Sequence, residues 1–185
     1  MQAIIIYGSQ YGTTKKYAEK LAEMTNSDIC SYDNIKSLSG YDLIVHMGGL
    51  YAGGVKGLKQ TLKAFPKEGT LFIVTVGLAD VHDPENIANI KKSLKSQVPA
   101  DIYNKAAVFH LRGGIDYSKL GFAHKTMMTL LYKSVKKEPP ERQTPENRAI
   151  IETFNKKVDF TDFEALKPIA QAMEKKTDSN GGVNP

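Results

Sequence analysis

Between an apolar run, Ala3 to Tyr7, and a helical-looking segment, Lys15 to Met24, the chain carries Gly8-Ser9-Gln10-Tyr11-Gly12-Thr13-Thr14. Strand, small hydroxyl-rich loop and helix together make an arrangement that holds a phosphate. The strand brings the loop to the edge of a sheet, and the helix points its unpaired N–H groups and positive dipole end back into the loop. Gly8 and Gly12 let the backbone approach an anion closely or take a positive φ, while Ser9, Thr13 and Thr14 add hydroxyl donors. Two further loops have ligand-site composition: Gly48-Gly49-Leu50-Tyr51-Ala52-Gly53-Gly54, and a stretch that begins Gly77-Leu78-Ala79-Asp80. Asp80 and His82 have the types of an acid–base pair, but a solvated loop pair is the simpler reading.

The phosphate chemistry can be narrowed. A nucleoside-triphosphate loop needs Gly-Lys-Ser/Thr after a four-residue gap, and this chain has Gly12-Thr13-Thr14 instead, which argues against an ATPase or GTPase. The dinucleotide pattern G-x-G-x-x-G fails as well, because Gln10 stands where its second glycine belongs. The stretch Ser9 to Thr14 resembles the flavodoxin phosphate loop, Thr/Ser-x-Thr-Gly-x-Thr. It matches at the first, fourth and sixth positions and differs at the third, where Tyr11 replaces a threonine.

The elements that must position these loops are legible from periodicity. Ala3 to Tyr7, Asp28 to Tyr32, Tyr41 to Met47, Thr70 to Val76 and Ala106 to Leu111 read as strands, alternating with helix-like stretches near Thr13 to Met24, Val55 to Phe65 and Pro84 to Val98. Strands apolar on both faces and separated by helices predict an α/β fold: a flavodoxin-like, doubly wound, five-stranded parallel sheet in a three-layer αβα sandwich. The expected strand order is 2-1-3-4-5, with ligand bound at the carboxyl ends of strands 1 and 3, where the order reverses. The loops 8–14, 48–54 and 77–84 all leave that edge. A flat flavin ring there needs apolar or aromatic faces, which Leu50 and Tyr51 supply on one side and Leu78 in part on the other.

Beyond the fifth strand the pattern is more elaborate. Lys119 to Lys137 is an amphipathic helix with a broad apolar face, ringed by Lys119, Lys125, Lys133, Lys136 and Lys137. Packing on the domain is its expected role, with docking on a membrane or partner as the alternative. Residues 138–149 read as an exposed connection before a short helix around Ile150 to Phe154. Thr161-Asp162-Phe163-Glu164 reads as a capping box for a last helix that ends near Lys176. The expected organisation is a single domain over 1–176, elaborated over 116–160, with a flexible tail at 177–185.

Composition sets outer bounds. The 185 residues suit one domain, and 41% hydrophobic with 24% charged residues is ordinary for a globular protein. One cysteine, Cys30, excludes an internal disulfide or a cysteine-based metal cluster, and no metal site is expected. No stretch reaches the ~18 apolar residues of a membrane span, so a cytoplasmic protein is expected. The formal charge of +5 favours anionic lipid, an acidic protein or an acidic substrate, with no nucleic acid expected as partner.

From Ile4 to about Met173 the whole pattern resembles the flavodoxin-domain proteins related to the bacterial menaquinone-dependent protoporphyrinogen oxidase. The loop Tyr7 to Thr14, the segment Arg112-Gly113-Gly114-Ile115-Asp116-Tyr117, the lysine- and methionine-bearing helix, and Val158-Asp159-Phe160-Thr161-Asp162-Phe163 carry that resemblance. It implies FMN as cofactor, with Ser9, Gln10, Tyr11, Gly12, Thr13 and Thr14 on the phosphate and Gly49, Leu50 and Tyr51 along the ring. Thr75, Val76, Gly77 and Leu78 would meet the other side of the ring or its ribityl chain, and Gly113 and Gly114 would approach from the fifth strand. It further implies oxidoreductase or electron-transfer activity, with a quinone acceptor at the inner face of the membrane. Three departures stand out: Tyr11 in the phosphate loop, no stacking aromatic in the third loop, and a longer connection over 138–157. A quinone or nitro-compound reductase and a non-enzymatic electron carrier or partner-binding module remain as alternatives.

Overall fold

The computed structural model describes residues 2–51 and 53–181, with 177–181 by backbone alone. Strands β1 (Ala3–Gly8), β2 (Asp28–Ser31), β3 (Leu43–Tyr51), β5 (Thr70–Gly77) and β6 (Ala107–Arg112) pair in parallel in the order β2-β1-β3-β5-β6. This is the predicted order, with β4 (Gly54–Val55) as a short addition that pairs antiparallel with the end of β3. Successive side chains of a strand point to opposite faces, so the apolar runs build two cores at once. Ile5, Val45, Phe72 and Val74 face helices α1 (Thr13–Thr25) and α7 (Lys167–Gly181), where Tyr17, Leu21, Ile169 and Met173 are buried. Ile4, Ile6, Ile44 and Ile73 face the other layer, α2 (Leu58–Ala64) and α3 (Pro84–Gln97), through Leu58, Ile90 and Leu94.

A third cluster sits beyond the carboxyl ends of the strands. It joins β7 (Gly114–Asp116), which pairs antiparallel with β8 (Lys157–Asp159), to α5 (Phe122–Val135) and α6 (Pro145–Thr153) through Ile115, Tyr117, Met128, Val135 and Ile150. A one-turn helix, α4 (Ala100–Tyr103), links α3 to β6.

Several local expectations are corrected. Val55 does not open a helix. It lies in β4, and α2 begins at Leu58 after Gly57, whose φ of 82° and crowding against the Tyr32 ring leave room for glycine only. The exposed connection before the short helix is shorter than expected: 139–142 are exposed, but α6 already starts at Pro145, where Thr144 caps by accepting from the Asn147 N–H at 3.2 Å. The cap of the last helical stretch is Asp162 and not Thr161: Asp162 accepts from the Glu164 N–H at 2.9 Å, while the Thr161 hydroxyl donates to Asp159. Finally, α7 passes Lys176 and runs to Gly181. Residues 182–185 of the predicted tail, and Ala52 of the second loop, lie outside the described residues.

Candidate functional site

Strand β1 delivers Gly8 to a position where no other residue fits, since a Cβ there would lie 2.0 Å from the Lys56 carbonyl oxygen. The loop then turns at Gly12, with φ of 91°, whose N–H donates to the Ser9 Oγ at 3.0 Å. Helix α1 begins at Thr13 with no side-chain cap and no acidic residue in its first turn. No acidic side chain of that first turn therefore opposes an anion there. Thr14 is buried, and Thr13 Oγ1 donates to the Gly114 carbonyl at 3.4 Å, which ties the loop to β7.

Three loops converge on one cavity of about 270 Å³. Of the residues expected from the sequence, Ser9, Gln10, Tyr11, Thr13, Thr14, Gly49, Leu50, Tyr51, Val76, Gly77, Leu78, Gly113 and Gly114 line it. Gly12 and Thr75 do not. Gly12 sets the turn, and Thr75 is buried behind the cavity with its Oγ1 2.7 Å from His110 Nδ1. The third loop is fixed by Arg112, whose Nε donates to the Leu78 carbonyl at 3.0 Å while the guanidinium lies 3.7 Å from the centre of the Phe160 ring.

Sequence reasoning missed the roof. Met127, Met128 and Leu131 of α5 and Glu146 and Ile150 of α6 close the cavity from above, and Asn86, Ile90 and His110 line its α3 side. The Thr144-Pro145-Glu146 start signal would have placed α6. Nothing local marks Lys56 and His124, which meet on Gln10: Lys56 Nζ donates to Gln10 Oε1, and Gln10 Nε2 lies 2.7 Å from His124 Nε2. Tyr51 OH donates to the Met127 sulfur at 3.1 Å, so α5 is tied to both the first and second loops.

Tyr11 turns toward this roof, with its ring edge-on to Tyr51 and His124 at centroid distances of 6.5 and 6.1 Å. Its hydroxyl is buried without a partner among the described residues, and burial, aided by Tyr51 and Tyr117, pushes its pKa up to about 12. His110 Nε2 is likewise buried and unpartnered, and burial together with Lys91 lowers the pKa of the ring. Burial raises the Glu146 carboxyl. Asp80 and His82 form no acid–base pair: the contact is a His82 backbone N–H donating to Asp80 at 2.9 Å in an exposed loop.

The sequence pattern of the flavodoxin domain matches residues 4–142. The chain belongs to the flavodoxin domain family. No curated protein sequence matches it. Among solved structures, this flavodoxin-domain chain is similar to a flavoprotein of Lactobacillus acidophilus in complex with FMN, at 17% identity and a TM-score of 0.42 over 60% of this chain and 91% of that one. It is similar to a cysteine-to-alanine variant of the Pseudomonas aeruginosa flavodoxin at 15% identity and a TM-score of 0.42, over 72% and 96% of the two chains. An archaeal flavodoxin gives 16% identity and a TM-score of 0.41 over 60% and 83%. The flavodoxin match ends before α6, so Glu146 and Ile150 lie outside it.

Proposed function

We propose that this flavodoxin-domain protein binds FMN in the cavity at the carboxyl edge of its sheet and works as an oxidoreductase. The observation that carries the reading is convergence: an anion-ready loop and two ring-lining loops open into one space, together with two buried polar atoms, Tyr11 OH and His110 Nε2, that lack protein partners among the described residues. FMN, when bound, supplies one- or two-electron transfer. The backbone N–H groups of α1 and the hydroxyls of Ser9 and Thr14 would take its phosphate, with no lysine in the loop, while the Thr13 hydroxyl ties the loop to Gly114. Leu50 and Tyr51 line one side of the ring space and Leu78 the other. Met127, Met128, Leu131 and Ile150 keep water from it. Thr75 orients His110.

The roof favours an enzyme over a pure electron carrier, because a carrier must present its ring edge to a partner protein and α5 and α6 stand over this cavity. The finer reading, protoporphyrinogen oxidation with a quinone acceptor, rests on the resemblance carried by 112–117 and 158–163. Anaerobic mixing of the FMN-loaded protein with protoporphyrinogen tests it by reduction of the bound flavin. A cytoplasmic protein peripheral to the inner membrane face fits the outer side of α5, where Phe122 is 88% and Leu130 64% exposed between lysines. No helix of the described residues is long and apolar enough to cross a membrane.

Thr14→Glu tests the cofactor assignment. A carboxylate at the buried first turn of α1 should abolish FMN uptake while leaving the circular dichroism spectrum unchanged. Retained FMN in that variant would overturn the assignment of the phosphate loop.

A further inference from the structure

The phosphate loop holds no lysine, and the two lysines that follow it in α1 are engaged by carboxylates. Lys15 Nζ lies 3.5 Å from Glu19, and Lys16 Nζ lies 3.8 Å from Asp159. Lys56 reaches the same loop from outside and makes no ion pair among the described residues. Strand β4 and the turn at Gly57 put it there: Val55 pairs with Leu50, and Gly57 turns the chain at φ of 82°. The Lys56 N–H donates to the Gly49 carbonyl at 3.0 Å, and a Cβ on Gly8 would lie 3.3 Å from the Lys56 Cβ. The side chain therefore starts against the end of β1. Its half-buried ammonium donates to Gln10 Oε1 within the loop, 5.5 Å from the centre of the Tyr51 ring and 5.8 Å from that of Tyr32. Lys56 does not border the cavity itself, but Gln10 and Tyr51 do.

A lysine ammonium carries a full charge and three donors, and here the described residues give it one neutral acceptor and two aromatic rings. Rings keep water away, so the charge is screened less than on an open surface. A phosphate monoester brings a charge of about −1.5 to −2 at neutral pH. We propose that Lys56 is the cation of the phosphate site and selects the phosphorylated flavin over riboflavin, facing the phosphate across Gln10. The proposal rests on the FMN reading and adds to it the positive charge that residues 8–14 lack.

Titration of the flavin-free protein with FMN and with riboflavin, followed by flavin fluorescence at low and high salt, tests it. Lys56→Met removes the charge and should weaken FMN about tenfold, the value of one charge-assisted hydrogen bond, while riboflavin affinity stays within about twofold. Lys56→Arg keeps the charge and should keep the preference for FMN. Salt should weaken FMN binding more steeply in the parent than in Lys56→Met and leave riboflavin unchanged in both. An equal loss for both flavins in Lys56→Met would make Lys56 a prop for Gln10 and Tyr51 only. That result, unchanged FMN affinity in Lys56→Met, or a parent that does not prefer FMN would each overturn the proposal. If the parent takes up neither flavin, the cofactor reading fails instead. Inorganic phosphate added to the flavin-free protein and read at the Thr13 and Thr14 amide resonances then decides the cation separately. The parent and Lys56→Arg should show a phosphate-dependent shift that Lys56→Met loses, and no shift in the parent or an equal shift in Lys56→Met overturns the assignment.

Discussion

Acid should destabilise this fold largely through His46, a histidine buried in β3. His46 is fully buried in β3, with Nδ1 2.8 Å from the Thr61 hydroxyl and Nε2 3.1 Å from the Lys56 carbonyl. The carbonyl can only accept, so Nε2 carries the hydrogen and Nδ1 accepts from Thr61. Burial lowers the imidazole from 6.5 to about 4, against a smaller opposing pull from the Lys56 carbonyl. The unfolded chain therefore takes up the proton before the folded one does. Stability is complete above the unfolded value and is lost as pH falls from 6.5 toward 4. At ~1.36 kcal/mol per pH unit the gap is worth about 3 kcal/mol, of which about 2 kcal/mol is lost between pH 7 and pH 5. Urea unfolding at the two pH values measures it. His110 shifts in the same direction, so the informative quantity is the difference from His46→Gln, whose amide can donate to Lys56 and accept from Thr61 without titrating. The variant should lose about 2 kcal/mol less than the parent on this acid shift. An equal loss in both proteins would refute the assignment of a neutral buried imidazole.

Other consequences follow from single contacts. Gly8→Ala forces a Cβ into the Lys56 backbone and should cost about 1–3 kcal/mol, with weaker FMN uptake because the phosphate loop shifts; thermal melts and fluorescence titration read the two effects. At Gly12 nothing lies within 4 Å of a Cβ, so the cost is backbone alone: Gly12→Ala should lose about 1–2 kcal/mol and Gly12→Asn less, by urea unfolding. Arg112→Met removes the Leu78 hydrogen bond and the Phe160 contact and should cost about 1–3 kcal/mol, raising the FMN dissociation constant as the third loop loosens. Phe122→Ser should leave the melting temperature unchanged while weakening sedimentation with anionic liposomes, and high salt should weaken it further.

The sheet was readable because its information is local. Ile4, Ile5 and Ile6 alternate between two cores, and runs apolar on both faces imply covered parallel strands. The three loops were readable because glycine and hydroxyl residues cluster where strands end. The roof was not, because its contacts join residues far apart in sequence: Gln10 to His124, 114 positions away, and Tyr51 to Met127, 76 positions away. No periodicity in either segment announces such a partner. Thr75 shows the opposite error. It adjoins the cavity-lining Val76, but it is buried behind the cavity wall and bonds His110, which is the residue that lines the space. His46 and His110 inside apolar strands were signals of buried polar contacts that the sequence offered. Their partners, Thr61, the Lys56 carbonyl and Thr75, required the fold.

Whether the three loops hold FMN is read from a visible absorption spectrum of the purified protein after incubation with FMN and desalting. The protein should retain oxidised-flavin absorbance at one flavin per chain, and Thr14→Glu should lose it. A colourless protein that releases all added FMN while remaining folded would contradict the FMN assignment.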